Sequence, residues 1–151
     1  MLNFRSLYSG SSGNSLFVET ENTKILVDAG MSCKKIEEAL HSIEVDPSSI
    51  NAILVTHEHS DHTKHIVPIL EKTNASLFIN QVSFDYLGET IKTKIINKKI
   101  FFIDKERKYS INDIIVVPIE LSHDSKNIFG FLIKAENENI GIITDTGIVP
   151  E

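Results

Sequence analysis

The chain has 151 residues, the size of a single domain, and we expect residues 1–151 to form one. Its 41% apolar and 24% charged residues are typical of a soluble globular protein, and its net charge of −6 does not indicate a nucleic-acid binder, although an acidic average still allows a local basic groove. Cys33 is the single cysteine, which excludes an internal disulfide and favours a reducing, cytoplasmic setting. The sequence shows neither a signal peptide nor a membrane-spanning run.

The first part of the chain predicts three strands and a helix. Asn3–Tyr8 is a candidate strand, and residues 9–14 are turn-forming Ser, Gly and Asn. Ser15–Glu19 and Lys24–Val27 then predict a hairpin. Ser32 is a candidate N-cap for a helix, because one apolar stripe follows it at helical spacing: Ile36, Ala39, Leu40 and Ile43.

The middle of the chain alternates predicted strands and helices. Residues 52–55 are all apolar, as in a strand covered on both faces. A helix is expected to start near His62, with Pro68 tolerated only in its first turn or at a break. The later predicted strands are residues 77–79, 99–103, 114–119, 129–135 and 140–144.

The run 140–144 predicts a central strand covered on both faces. Few residues follow it in this sequence, so its cover is expected from another copy or from a longer protein. An exposed apolar sheet face would also favour self-association.

The most informative segment is His57-Glu58-His59-Ser60-Asp61-His62, which directly follows an apolar strand. In an extended segment alternate side chains share a face, so His57 and His59 can bind one ion together. A third ligand must come from elsewhere, and His123, in a polar loop after a strand, is the natural candidate.

A second ion is expected beside the first. Asp61 and His62 lie where the chain turns from strand to helix, and Asp145, at the end of the last predicted strand, can supply a bridging oxygen. The alternative for Asp145 is a turn cap before Gly147, and for His123 a surface position. Imidazole with carboxylate suits zinc or manganese, and the sequence does not distinguish them.

The other histidines are expected to have structural roles. His65 lies one helical turn beyond His62 and would point along the helix. His41 lies at the end of the first predicted helix, where a cation suits the helix dipole. Glu58 and Ser60 alternate away from the ligand face.

These motifs resemble the metallo-β-lactamase superfamily of hydrolases, and within it the YycJ/WalJ branch of metal-dependent double-stranded DNA exonucleases. The similarity spans nearly the whole chain and is carried by residues 9–15, 25–30, 56–62, 122–124 and 144–147. The implied fold is α+β, the N-terminal half of an αβ/βα sandwich with a mixed sheet flanked by helices. The resemblance implies a second half, which supplies a last histidine to the second metal, so this part alone is expected to be incomplete.

The resemblance also implies roles for particular residues. His57, His59 and His123 would bind the first metal, Asp61 and His62 the second, and Asp145 would bridge them. Asp28 would steady the histidine segment, its alternative being a simple turn before Gly30. The Ser/Gly loop 9–15 would offer N–H groups to a phosphate or form an ordinary turn.

Three functions remain open from the sequence. The first is a DNA exonuclease or phosphodiesterase in which two divalent ions share a water and present it as hydroxide, with Asp61 orienting it as the catalytic carboxylate. The second is a hydrolase of a thioester or other carboxyl derivative on the same fold. The third is a metal-binding fragment without activity of its own.

Overall fold

The computed structural model describes residues 2–8, 15–56, 65–104, 107–121 and 128–142. Within them the strands are β1 (Asn3–Tyr8), β2 (Ser15–Glu19), β3 (Lys24–Val27), β4 (Ala52–Leu54), β5 (Ser76–Asn80), β6 (Ile100–Ile103), β7 (Tyr109–Ile111), β8 (Ile114–Leu121), β9 (Ile128–Ala135) and β10 (Glu138–Ile142). The helices are α1 (Cys33–Ser42), α2 (Ile66–Lys72), α3 (Gln81–Tyr86) and α4 (Glu89–Ile95), with a 3₁₀ turn at Pro47–Ser49.

The first six strands form one mixed sheet in sequence order, β1 to β6. β1, β2 and β3 pair antiparallel, whereas β3, β4, β5 and β6 pair parallel. Since parallel strands end on the same side, β3 to β6 all end at one edge, here called the carboxyl edge. The start of β2 lies there too, because Leu16 pairs with Val27 at the end of β3.

The second sheet has the order β10-β9-β8-β7 and is antiparallel. It packs on one face of the six-stranded sheet, and the helices pack on the other. Alternation along the strands explains both layers: in β3, Leu26 faces the helices, whereas Ile25 and Val27 face the second sheet. The largest buried side chains of the inter-sheet layer include Phe131 of β9, which has no partner layer other than the first sheet among the described residues.

Several predictions about these elements are confirmed. Ser32 caps α1 by accepting a hydrogen bond from the Lys35 N–H, at 3.3 Å. Pro68 is the third residue of α2, where a missing N–H is tolerated, and Ile66, Ile69 and Leu70 of this helix are buried. The predicted helix start near His62 lies outside the described residues. No helix of the described residues is long and apolar enough to cross a membrane.

The last predicted strand is present as β10, and its cover from another copy or a longer protein stays a prediction. β10 occupies the margin of the four-stranded sheet among the described strands, where the sequence predicts a central, doubly covered strand. Ile142 is buried against the first sheet, but Gly141 points to the opposite face and is exposed. Apolar character arises here on the inward-facing positions alone.

Three short elements are not foreseen from the sequence: β7, α3 and α4. β7 has three residues, which is too short for a periodic pattern, and it joins β8 through a tight turn in which Asn112 has a φ of 52°. α3 is capped by Asn80, whose side chain accepts from the Val82 and Ser83 N–H groups at 2.8 and 3.1 Å. The local indications in the sequence were Asn80, which caps α3, and the turn residue Asn112.

Polar contacts join the two sheets at the end opposite the carboxyl edge. The turn between β2 and β3 contributes Thr20 and Thr23, whose hydroxyls donate to Asp113 at the start of β8, the Thr20 bond measuring 2.7 Å. Nearby, the Leu2 N–H donates to Glu138 at the start of β10, at 3.2 Å. β8 and β10 therefore both begin at this end and run toward the carboxyl edge.

We expect Asp113→Asn to weaken this junction most at neutral pH. The hydroxyls of Thr23 and Thr20 hold the pKa of Asp113 below its ordinary value of 3.8. A lowered folded-state pKa stabilises the protein above the unfolded value, and this contribution disappears as the pH falls through the folded value. Urea midpoints from pH 7 down to pH 2 should therefore fall less steeply in the variant than in the parent.

Asp85→Asn is the control, since it removes the same charge from a side chain that contacts Gln81 on its own helix. Parallel curves for parent and Asp113→Asn would refute the role assigned to Asp113.

Candidate metal centre

The segment that carries His57 begins at a buried hydrogen-bonded pair at the carboxyl edge. Oδ1 of Asp28 accepts from the Thr56 N–H at 2.9 Å, and Oδ2 accepts from the Thr56 hydroxyl at 2.8 Å. Both residues are essentially inaccessible to solvent. A buried carboxylate requires such donors, so the end of β3 and the residue immediately before His57 are held together.

The backbone of Asp28 makes this arrangement possible. Its N–H donates to the Leu54 carbonyl at 2.7 Å, which continues the pairing of β3 with β4. Its φ is 65°, a left-handed conformation that Asp and Asn tolerate better than most residues. Its carbonyl accepts from the Ser15 hydroxyl at 2.9 Å, so Asp28 also connects the start of β2. One residue thus joins three strands at this edge.

The described strands converge where the predicted ligands would have to meet. β4 leads to Thr56 and the histidine segment at the carboxyl edge. β8 ends at Leu121, two residues before His123, and β10 ends at Ile142, three residues before Asp145. Because β8 and β10 begin at the opposite end, beside the β2–β3 turn and Leu2, they end toward the same edge as β4. Separate parts of the sequence thus reach one edge of the molecule.

The predicted ligands themselves lie outside the described residues: His57, His59, Asp61, His62, His123 and Asp145. Their assignment stays a prediction, as do the roles of residues 9–14. Within the described residues, no three His, Cys, Asp or Glu side chains form a group able to bind a metal.

The histidines expected to have structural roles are described. His41 lies exposed in the last turn of α1. His65 is half-buried at the N-cap position of α2, and its carbonyl accepts from the Ile69 N–H at 3.3 Å. His65 therefore lies at the start of the helix that follows the histidine segment.

Cys33 is not suited to metal binding at neutral pH. Burial, together with the hydrogen bond that the thiol donates to Glu37, raises its pKa to about 11. The thiolate is the metal-binding form, so a thiol that stays protonated leaves imidazole and carboxylate as the available donors.

Thr56 is the residue that sequence reasoning did not single out. It lies just outside the histidine segment and has no metal-binding group of its own. Its role depends on contact with Asp28, 28 residues earlier in the chain, which no local pattern reveals.

The sequence model of the protein family described as the metallo-beta-lactamase superfamily matches residues 8–148 of this chain. The chain belongs to this superfamily. It is 34% identical over 150 residues to the exodeoxyribonuclease YycJ of Bacillus anthracis, which covers 99% of this chain and 56% of that protein. It is 35% identical over 151 residues to the exodeoxyribonuclease WalJ of Streptococcus pneumoniae serotype 2, with 96% and 54% covered. The chain thus spans about half the length of these relatives.

Solved structures confirm the predicted fold. The metallo-beta-lactamase fold protein YhfI of Bacillus subtilis aligns with a TM-score of 0.73 at 11% identity, covering 93% of this chain and 60% of that one. The mixed sheet flanked by helices is the α+β arrangement predicted from the motifs, and it corresponds to part of that fold.

We expect Asp28→Ala to destabilise the protein by about 3 kcal/mol, because it leaves two buried donors of Thr56 without the carboxylate. Loss of this support should also weaken zinc binding about 10–100-fold. Asp28→Asn tolerates the same backbone conformation and keeps one acceptor, so its loss should be smaller. Urea unfolding and zinc titration measure the two effects.

The control is Asp46→Ala, which removes the carboxylate that caps the 3₁₀ turn through Ser48. It should cost stability without changing zinc affinity. Equal zinc binding by Asp28→Ala and the parent would contradict the role given to Asp28.

Proposed function

We propose that this protein is a metal-dependent hydrolase that cleaves phosphodiester bonds of DNA. The observation that carries the proposal is the convergence of β4, β8 and β10 on the carboxyl edge, each leading to a segment that contains at least one predicted metal ligand. Membership of a hydrolase superfamily supports the reaction type, and relatives named exodeoxyribonucleases support DNA as the substrate.

In this proposal the donor set decides which ions bind. His57, His59 and His123 would bind a first divalent ion, and Asp61 and His62 a second, with Asp145 between them. Imidazole with carboxylate is chemically suited to zinc or manganese. The remaining ligand of the second ion is expected from outside this chain, which covers 54% to 56% of its relatives' lengths.

When bound, two divalent ions acidify a water and stabilise negative charge on a phosphoryl oxygen. The chain's own residues then have positioning roles. The Asp61 carboxylate would accept a hydrogen bond from the attacking water and orient it for in-line displacement, as its catalytic role. Asp28 would hold the start of the histidine segment through Thr56, so that the imidazoles keep their geometry during the reaction.

The cellular location and the self-association of the chain are also part of the proposal. The single cysteine favours a cytoplasmic location. Self-association is proposed through the outer face of the four-stranded sheet, where Ile115 and Ile119 are 40% and 38% exposed beside the half-buried Val117 and Leu132. Light scattering tests this point: a dimer mass that Ile115→Gln reduces to a monomer supports it, and a monomeric parent excludes it.

A second candidate is a metal-binding part that needs the rest of a longer protein for turnover, and the half-length match to the relatives favours it. Hydrolysis of a thioester or another carboxyl derivative is the third outcome. Protein loaded with Mn²⁺ or Zn²⁺ and incubated with duplex DNA, a thioester and a chromogenic lactam separates them. Cleavage of DNA alone supports the proposal, and two bound ions without any cleavage favour the second candidate.

His59→Ala should abolish tight zinc uptake, because it removes one of the three imidazoles proposed for the first ion. DNA cleavage should fall with the metal content. His41→Ala is the matched control, since His41 lies exposed at the end of α1. Zinc stoichiometry by elemental analysis reads the result, and an unchanged metal content in His59→Ala would exclude this assignment.

A further inference from the structure

The basic residues of this acidic chain are concentrated in one stretch. Seven of the 15 Lys and Arg residues, but two of the 21 Asp and Glu residues, fall between positions 92 and 108. That stretch has a formal charge of +5, and the rest of the chain has −11. A polyanion would therefore meet a favourable potential at this part of the surface and a repulsive one over most of the remainder.

The stretch folds around β6, the last strand of the six-stranded sheet. Lys98 and Lys99 precede β6, while Arg107 and Lys108 follow it, and Lys99, Arg107 and Lys108 are exposed. Lys94 is exposed on α4. We call this surface the β6 margin; it consists of Lys94, Lys98, Lys99, Phe101, Phe102 and Lys108.

Aromatic rings are exposed among these charges, on both faces of β6. Phe101 is 46% exposed and stacks on Phe78, with ring centroids 5.0 Å apart. Phe102 is 43% exposed and meets Phe84 edge to face at 5.2 Å. Each ring is held from behind and leaves part of its surface open, which is the arrangement that stacking on nucleobases requires.

Main-chain contacts argue against an added protein strand as the occupant. The Lys99 carbonyl accepts from Leu77 in β5, so by alternation the Phe102 carbonyl and the Asp104 N–H point away from β5. The Tyr109 hydroxyl occupies both, donating to Phe102 at 3.2 Å and accepting from Asp104 at 2.9 Å. Pairing with another strand would have to break these bonds. At the Phe102–Asp104 end of β6, side chains rather than main-chain groups are therefore available to a partner.

The carboxyl end of β6 lies close to Thr56, the residue that precedes the histidine segment. β6 is two strands from β4, about 10 Å across the sheet. Leu54 pairs with Phe78, and Asn80 pairs with Ile103, so Ile103 is nearly level with Thr56, the residue before the histidine segment. Lys99, at the other end of β6, is level with Ser76 and Ala52, four residues before Thr56, so the lysine pair lies about 13 Å further back along the strand direction.

We propose that the β6 margin binds a single strand of nucleic acid that continues toward the candidate metal centre. The lysines contact its phosphates, and the two phenylalanines stack on its bases. This inference rests on the proposed function, because only a hydrolase would cleave the strand that the margin holds. The binding itself does not require a metal. The proposal assigns to the margin a strand-holding role separate from the chemistry.

The test measures how tightly the protein binds a fluorescent single strand of about 20 nucleotides, which is long enough for about two binding sites. Binding is read by fluorescence anisotropy in EDTA at several salt concentrations. Lys98→Gln with Lys99→Gln should weaken binding on the order of tenfold at low salt and reduce the slope of log K against log salt by about 1.4. The matched control is Lys34→Gln with Lys35→Gln, an adjacent pair on α1, which packs against β1 at the other side of the sheet. Its affinity should stay within about twofold of the parent.

Phe102→Leu tests the stacking contribution while keeping an apolar contact with Phe84. It should weaken binding of the single strand about fivefold and leave binding of an abasic strand of equal length unchanged. Circular dichroism melts confirm that each variant is folded.

The outcomes separate this inference from the proposed function. The β6 margin is excluded as a nucleic-acid site if substitution of either lysine pair weakens strand binding equally. It is also excluded if binding to anionic vesicles depends on Lys98 and Lys99 while strand binding does not. If the parent cleaves DNA and the margin variants cleave it at the same rate and with the same affinity, the β6 margin is excluded as a nucleic-acid site. The hydrolase proposal is then unaffected. Localised strand binding without cleavage in any metal supports the margin and counts against the hydrolase.

Discussion

The arrangement of the candidate centre depends on one buried interaction, between the Asp28 carboxylate and the N–H and hydroxyl of Thr56. β4 has three residues, too few to fix by itself the direction of the segment that follows it. Asp28 supplies that direction, because its backbone pairs with Leu54 and its carbonyl accepts from Ser15. The ends of β3 and β4 and the start of β2 are thereby fixed relative to one another where the histidine segment begins.

A second constraint acts at the far end of the molecule. Contacts of Asp113 with the β2–β3 turn, and of Leu2 with Glu138, place the starts of β8 and β10 beside the first sheet. The apolar layer between the sheets, which includes the fully buried Phe131, then keeps the strands aligned along their length. Because the starts are tied, the ends of β8 and β10 reach the carboxyl edge. Residues far apart in the sequence can meet at the carboxyl edge only if the contacts at both ends of the molecule are kept, those of Asp28 and those of Asp113 and Glu138.

The parts of this account that the sequence predicts are those with a local or periodic cause. The run of apolar residues 52–55 predicts β4, and the apolar stripe through Ile36 and Leu40 predicts α1. Both predictions succeed because burial follows the period of the element. β7, α3 and α4 are too short for a period, and the marginal position of β10 depends on pairing that is not local. The histidine segment indicates metal chemistry by composition alone, whereas the contact of Asp28 with Thr56 requires the fold. The ligand set stays a prediction from the motifs, and strand convergence is what supports it.

The two proposals assign metal binding to the acidic and imidazole side chains after β4, and nucleic-acid binding to the basic and aromatic side chains around β6. The proposed chemistry would lose its basis if no ions bound where these strands converge. The most direct measurement is therefore anomalous diffraction from crystals of zinc-loaded protein, collected on both sides of the zinc absorption edge. The account predicts a strong peak between the imidazoles of His57, His59 and His123, with a second beside Asp61 and His62 when the rest of the ligand set is present. Well-ordered side chains at these positions without a peak among them would contradict it.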